Sequence, residues 1–304
     1  MTVSRDFTAW PRGPLHLAIG VFDGVHIGHQ ALVREVARRA RSSGATPVAA
    51  TFDPLPIEVL APGAPPSALS DIDERCALLA RAGAEHVAVL TFTPEFAALA
   101  PEEFARRVAA AGEVRHISVG QDFQFGRDRS GDVDRLKELG RELGFVCDIA
   151  EPVTLDGQIV SSTRIRNALL AGDVALAARL LGRAYTVTGV VEHGSKRGRA
   201  LGFPTMNLGV APNRLLPRDG IYAVWAEVEG ERVRAAASLG VRPTFGGGER
   251  KLEAYLLDWS GDAYGDRVRC EFVKRLRDEL RFASAAELAE QISRDVDETR
   301  RALR

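Results

Sequence analysis

Between residues 15 and 150, five short apolar runs alternate with longer stretches of helical periodicity, which restricts the first half of the chain to a parallel sheet covered by helices. The runs are LHLAIGV (15–21), TPVAATF (46–52), EHVAVLTF (85–92), VRHISVG (114–120) and GFVCDIA (144–150). Each has strand length, and the segments between them predict helices near 28–43, 71–82, 101–111 and 132–143. Asp71-Ile-Asp-Glu and Pro101-Glu-Glu suit helix N-termini, where negative charge meets the positive end of the helix dipole. A further helical stretch near 162–181 is interrupted at Gly172-Asp173, where the glycine ends one helix and the aspartate caps the next. Ala61-Pro-Gly-Ala-Pro-Pro66 reads as a loop inside this half.

After Arg183 the texture changes. TVTGVVEHG, GIYAVWAEVEG, RVRAAASLG, KLEAYLLDW and DRVRCEFV are alternating or β-branched runs bounded by turn residues, as in an antiparallel barrel or sandwich. The final segment, with Leu288, Ile292 and Val296 spaced among charges, predicts a terminal amphipathic helix. A chain of 304 residues has room for two domains, here 1–183 and 184–304. With 45% hydrophobic and 27% charged residues, disordered and membrane-embedded classes are excluded. The 40 basic and 41 acidic residues divide as 20 and 23 up to Arg183 and 20 and 18 beyond it. Neither half has the positive field of a general nucleic-acid or anionic-membrane binder. Cys76, Cys147 and Cys270 are odd in number, widely spaced and without a CxxC pair, which argues against disulfides and structural zinc. With no apolar leader and no run long enough to span a bilayer, the expected location is the cytoplasm. Small-molecule substrates, and a monomer or weak homo-oligomer, are the expected partners and assembly.

The chemistry concentrates in two places. Gly20-Val21-Phe22-Asp23-Gly24-Val25-His26-Ile27-Gly28-His29 follows the first strand and enters the first helix, at the carboxyl edge where open parallel sheets bind ligands. His26 and His29, three residues apart, can share one face of a first helical turn whose free N–H groups already favour phosphate. Gly28 leaves room for close approach. A zinc reading lacks an evident third ligand, although Asp23 stays open as one. In the second half, His193-Gly-Ser-Lys-Arg-Gly-Arg-Ala-Leu-Gly-Phe-Pro-Thr-Met-Asn207 puts glycines and cations in a turn that can cradle phosphates. Pro204 then bends the chain to present the Thr205 hydroxyl and the Asn207 amide oxygen, hard ligands suited to Mg2+ shared with nucleotide phosphates.

The first segment resembles the HxGH signature of the nucleotidyltransferase superfamily, and in its fuller form the adenylyltransferase half of bacterial bifunctional riboflavin kinase/FAD synthetases. Val160-Ser-Ser-Thr-Arg-Ile-Arg166 and Gly120-Gln-Asp-Phe-Gln-Phe-Gly126 resemble further motifs of the same family. The second segment resembles the GxxRGRxLGFPTAN motif of riboflavin kinases, as do Leu216–Tyr222, Arg242–Phe245 and Leu252–Asp258. This resemblance implies a Rossmann-like α/β unit followed by a kinase barrel. ATP, riboflavin and FMN are then substrates, and Mg2+ serves both steps. It further implies catalytic roles for His26, His29, Arg164, Arg166 and Glu253. Nucleotide contacts would come from Gly20, Phe22, Asp23, Gly24, Gly28, Ser162 and Thr163 in the first half, and from Gly194, Arg197, Gly198 and Arg199 in the second. Flavin contacts would come from Asp122, Phe123, Phe125, Gly126, Arg275 and Arg277, and metal ligands from Thr205 and Asn207.

The chain departs from the family at particular positions. Leu55 stands where a histidine is common and Ala68 where an arginine is, so an alternative is a riboflavin kinase with an impaired or altered adenylyltransferase. Val21, Met206, Ser238 and Tyr255 are milder departures. A non-turning-over flavin sensor is the alternative from another class, and an intact Thr205, Asn207 and Glu253 speak against it.

Overall fold

The computed structural model describes residues 1–65, 67–193, 202–241 and 250–304. Its backbone contacts group into two units, Met1–Ser162 and Thr163–Arg304.

In the first unit, β1 (Thr2–Arg5), β2 (Pro14–Ile19), β3 (Thr46–Asp53), β4 (His86–Thr91), β5 (Glu113–Gly120) and β6 (Val146–Ala150) form one parallel sheet in the order β1-β4-β3-β2-β5-β6. The helices are α1 (Ile27–Ser43), α2 (Pro56–Leu60), α3 (Ile72–Arg81), α4 (Pro94–Ala97), α5 (Pro101–Ala110) and α6 (Val133–Leu143). A small hairpin, β7 (Thr154–Leu155) and β8 (Gln158–Ile159), follows them. The central strands are apolar on both faces because helices cover both. Leu15, Leu17 and Ile19 of β2 pack with Phe104 and Val108 of α5 and Leu136 and Leu139 of α6. Ala18 points the other way, into a core with Val33 and Val36 of α1 and Leu79 of α3. The chain runs from β2 outward through β3 to β4, then returns to place β5 on the other side of β2. That reversal opens a crevice at the carboxyl end of β2, where the histidine turn lies.

Helix ends follow the capping residues. Asp71 accepts from Glu74 N at 2.7 Å and Asp132 from Arg135 N at 2.8 Å. The five anticipated strands form within a few residues of their predicted bounds. β1 carried no sequence signal, having only Ser4 buried, and tertiary contacts hold it: Thr2 and Ser4 hydroxyls meet the two ring nitrogens of the buried His86 at 2.7 and 2.8 Å.

The second unit begins within α7 (Ser162–Ala171), at Thr163, and continues with α8 (Val174–Leu181). Gly172 is left-handed at φ 83°, and Asp173 accepts from Leu176 N at 2.8 Å, the two-helix break expected there. Then β9 (Tyr185–Glu192), β10 (Thr205–Val210), β11 (Gly220–Val228), β12 (Glu231–Val241), β13 (Arg250–Leu256) and β14 (Arg267–Arg277) close into an antiparallel barrel, in the order β10-β13-β12-β11-β14-β9. Pairing of β9 with β10 closes the ring, which decides for a barrel over a sandwich. β10, read from the sequence as a bend presenting two side chains, is itself a strand. Because α8 packs on β9 and β14, the division by packing falls ahead of the helices that the change of texture assigned to the first half. The terminal helix α9 (Ala285–Ala302) packs on the barrel as expected. Its deepest residues are polar, however: Asp295 and Thr299 are buried, while Leu288, Ile292 and Val296 are only half-buried. For Asp295 the reason is an ion pair, in which Arg277 of β14 grips both carboxylate oxygens at 2.8 and 2.6 Å.

Candidate functional site

The turn between β2 and α1 is backbone held under strain. Phe22 and Val25 take positive φ of 52° and 40° on either side of Gly24 at 76°, values that non-glycine residues adopt only where the surroundings compel them. The compelling contacts come largely from Asp23. Its buried carboxylate accepts from Leu69 N at 2.9 Å, Ser70 N at 3.1 Å and the Ser70 hydroxyl at 3.3 Å. Ser70 Oγ in turn accepts from Gly24 N at 2.9 Å, and the Ser162 hydroxyl donates to Asp23 O at 3.0 Å. Asp23 therefore shapes the turn, and its engagement with the 69–70 backbone leaves the zinc-ligand possibility without support.

His26 caps α1, its Nδ1 accepting from His29 N at 3.3 Å. The two imidazoles stack with centroids 3.5 Å apart, and the Phe22 ring meets His29 edge-on at 5.1 Å. A Cβ at Gly28 would press on the His26 ring at 3.1 Å, so that glycine makes room for the imidazole. Burial first, then the neighbouring His26 and Arg75, hold the His29 imidazole well below its ordinary pKa. At neutral pH His29 is an uncharged group whose Nδ1 has no hydrogen-bond partner among the described residues. It is poised to donate or accept a hydrogen bond rather than to act as a standing cation. Gly20, Phe22, Asp23, Gly24, Gly28 and Ser162 all lie in or against this turn. Thr163, Arg164 and Arg166 stand in the first turns of α7, in the second unit.

Beside the turn opens a cavity of about 820 Å3, reaching from Val21 to the segment after β5. Asp122, Phe123, Phe125 and Gly126 line it together, as do Phe52, Phe92, Phe96 and Phe104. The last four were not singled out in the sequence. For Phe92 and Phe96 the signal was a density of phenylalanine around Thr91–Phe96, which periodicity assigns to core; Phe52 and Phe104 sit in a strand and a helix that read as ordinary core. A room walled by aromatic rings, with polar groups at its edge, suits a flat heteroaromatic ligand. Leu55, at the start of α2, and Ala68 are both buried and packed.

The second site lies on the outside of the barrel. Alternate residues Leu208, Leu252 and Leu239 are buried, so their neighbours across the pleat face outward. In register across adjacent strands, the outward row reads Glu192, Asn207, Glu253, Ser238. Thr205, two residues before Asn207 on the same face, donates its hydroxyl to Glu253 Oε2 at 3.3 Å. Thr205, Asn207 and Glu253 are thus brought together although 48 residues separate the first from the last. Glu192, which the sequence reading did not single out, borders the same group. Arg275 donates to Asp219 O at 2.6 Å and to Asp278 Oδ1 at 2.5 Å. Arg277 is engaged by Asp295 and anchors the terminal helix. Gly194, Arg197, Gly198 and Arg199 lie outside the described residues, as does the Arg242–Phe245 segment. No described helix is long and apolar enough to cross a membrane.

Two sites built for phosphate chemistry, one at a parallel-sheet switch point and one on a barrel, define a two-activity nucleotide transferase. The family model for FAD synthetase matches residues 11–164, and that for riboflavin kinase matches residues 181–303. A bifunctional riboflavin kinase/FMN adenylyltransferase from Pseudomonas fluorescens is 41% identical over 91% of this chain and 89% of its own length. Its counterpart from Bacillus subtilis is 36% identical over 93% and 90%. A crystal structure described as a macrolide-efflux protein from Streptococcus pneumoniae superposes with a TM-score of 0.88 at 33% identity, covering 98% of both chains. The chain belongs to the family of bifunctional riboflavin kinase/FMN adenylyltransferases.

Proposed function

We propose that this chain phosphorylates riboflavin to FMN on its barrel and joins FMN to AMP at its histidine turn, giving FAD. What supports the reading is that each family match falls on a part of the chain whose side chains fit that chemistry.

On the barrel, the ribityl 5′-hydroxyl attacks the γ-phosphorus of ATP. The bond to the β-bridging oxygen breaks and ADP leaves. An alcohol is a weak nucleophile at neutral pH, so Glu253 orients it and accepts its proton. The described residues hold no cluster of three or more His, Cys, Asp or Glu able to bind a metal. The hard oxygens of Thr205 and Asn207 nevertheless suit Mg2+, which keeps few protein ligands and completes its shell with phosphates and water. When bound it supplies charge to the phosphates.

At the turn, a phosphate oxygen of FMN attacks the α-phosphorus of ATP in line, and pyrophosphate leaves. No enzyme nucleophile is needed, so catalysis is positioning and charge. His26 and His29 hold the phosphates, Arg164 and Arg166 supply cations, and Thr163 and the turn glycines border the nucleotide. The aromatic cavity with Asp122, Phe123, Phe125 and Gly126 receives the flavin ring. This division of labour sets the functional boundary at 183/184, with α7 serving adenylyl transfer and the cationic loop around Arg197 and Arg199 serving the kinase. We place the enzyme in the cytoplasm as a monomer or weak homo-oligomer that binds small molecules and no nucleic acid.

The test is a time course with riboflavin, ATP and Mg2+, separating the three flavins by chromatography. FMN that rises and then passes into FAD supports both activities. FMN that accumulates with no FAD, and no FAD even when FMN is the starting substrate, would limit the enzyme to the kinase step. The double substitution L55H/A68R would then be expected to restore FAD.

A further inference from the structure

We propose that Arg75 is a positioning residue of the adenylyl-transfer site, its buried guanidinium fixing the turn that carries His26 and His29. The proposal rests on the functional reading above.

Arg75 lies in α3, only 2% exposed, beneath the carboxyl edge of the sheet. Its Nη1 donates to Phe52 O at 2.7 Å and to Thr51 Oγ1 at 3.4 Å, both at the end of β3. Thr51 Oγ1 passes the connection on by donating to Val21 O at 2.8 Å, inside the turn. From the other side, Nη2 reaches Ser70 O at 3.5 Å, and Ser70 binds both Asp23 and Gly24. One planar fork therefore links β3, the 69–70 segment and the strained turn. A single ammonium could not span the same acceptors.

The arrangement is costly for packing alone. A buried ion pair is often replaced as a whole by apolar side chains of similar volume with little loss, or with gain. Arg75 Nε moreover has no hydrogen-bond partner among the described residues. What the charge faces is the catalytic turn. The buried Asp23 carboxylate compensates it most, with lesser contributions from Asp53 and Glu58, and its positive field reaches His29 together with that of His26. Arg75 thus both sets the shape of the turn and helps keep His29 unprotonated. Nothing in the DERCALLA segment distinguishes this arginine from a solvated one, since only the tertiary fold buries it.

The experiment compares the full-length chain with R75M and R75K. For R75M we expect riboflavin phosphorylation at the wild-type rate and FMN adenylylation lowered about 100-fold, the scale of a misplaced reacting group. The acidic limb of its adenylylation profile, and the NMR titration of His29, should both move to higher pH. R75K, which keeps the charge but loses the fork, should leave the His29 titration near wild type while adenylylation falls about tenfold. R75M with wild-type adenylylation and an unmoved His29 titration would overturn the proposal. If R75M loses both activities and its circular dichroism, R75K decides: wild-type adenylylation in that variant refutes the positioning role. A wild-type chain that makes no FAD refutes the functional reading instead, and the His29 titration in R75M against wild type still decides the case of Arg75.

Discussion

His29 combines a half-buried position, a stacked imidazole and a ring nitrogen without a hydrogen-bond partner among the described residues, a combination that costs stability unless a ligand completes it. H29A should therefore lower FMN adenylylation by about 100-fold or more, the usual worth of a positioned proton-transfer or hydrogen-bonding group, and leave riboflavin phosphorylation intact. Chromatography of FAD made from supplied FMN reads it directly. N207A should do the reverse, with the loss of riboflavin phosphorylation steepest at limiting Mg2+ and FMN adenylylation unchanged. The cysteines are of a different kind. Burial pushes the Cys270 thiol up to about 12 and the Cys147 thiol up to about 11, and it raises Cys76 as well. A thiolate reagent at pH 8 should find almost nothing in the native protein and three thiols in denaturant, because the thiolate is the reactive form.

At the scale of elements, the helices were legible because their ends carry chemistry that acts locally. Asp71, Asp132 and Asp173 each accept the backbone N–H three residues on, as a short side-chain oxygen at that position can. D173A should cost about 1 kcal/mol in urea unfolding by removing one such bond. The terminal helix was legible as amphipathic but not in its attachment. Its anchor is the buried Arg277–Asp295 pair, and D295A should cost about 3 kcal/mol, because it strands a largely buried guanidinium. Loss of helical signal at a lower urea concentration than in the parent would show it. β1 and β10 escaped notice for one shared reason. Each is short, without an alternating apolar face of its own, and exists because a neighbouring strand offers it a ladder.

Over the whole molecule, three histidines set the response to acid. Burial is the leading cause that lowers the pKa of His16, His29 and His86 in the folded protein. Below about 6.5, the ordinary histidine value, the unfolded chain takes up protons that the folded chain resists. Stability is therefore fully present above that value and is lost as the pH falls through it. The first unit, which holds all three residues, should show a lower urea midpoint at pH 5.5 than at pH 7.5. The loss should precede carboxylate protonation. By itself the sequence determined the fold class, the two-part organisation and the motif residues, since strand and helix periods, caps and the histidine turn act over a few neighbours. Only the tertiary structure decided that the barrel closes, that Thr205 meets Glu253, that phenylalanines from several segments wall one cavity, and that Arg75 lies buried beneath the turn. Those facts depend on strand register and burial between residues far apart in the chain, which no local pattern encodes.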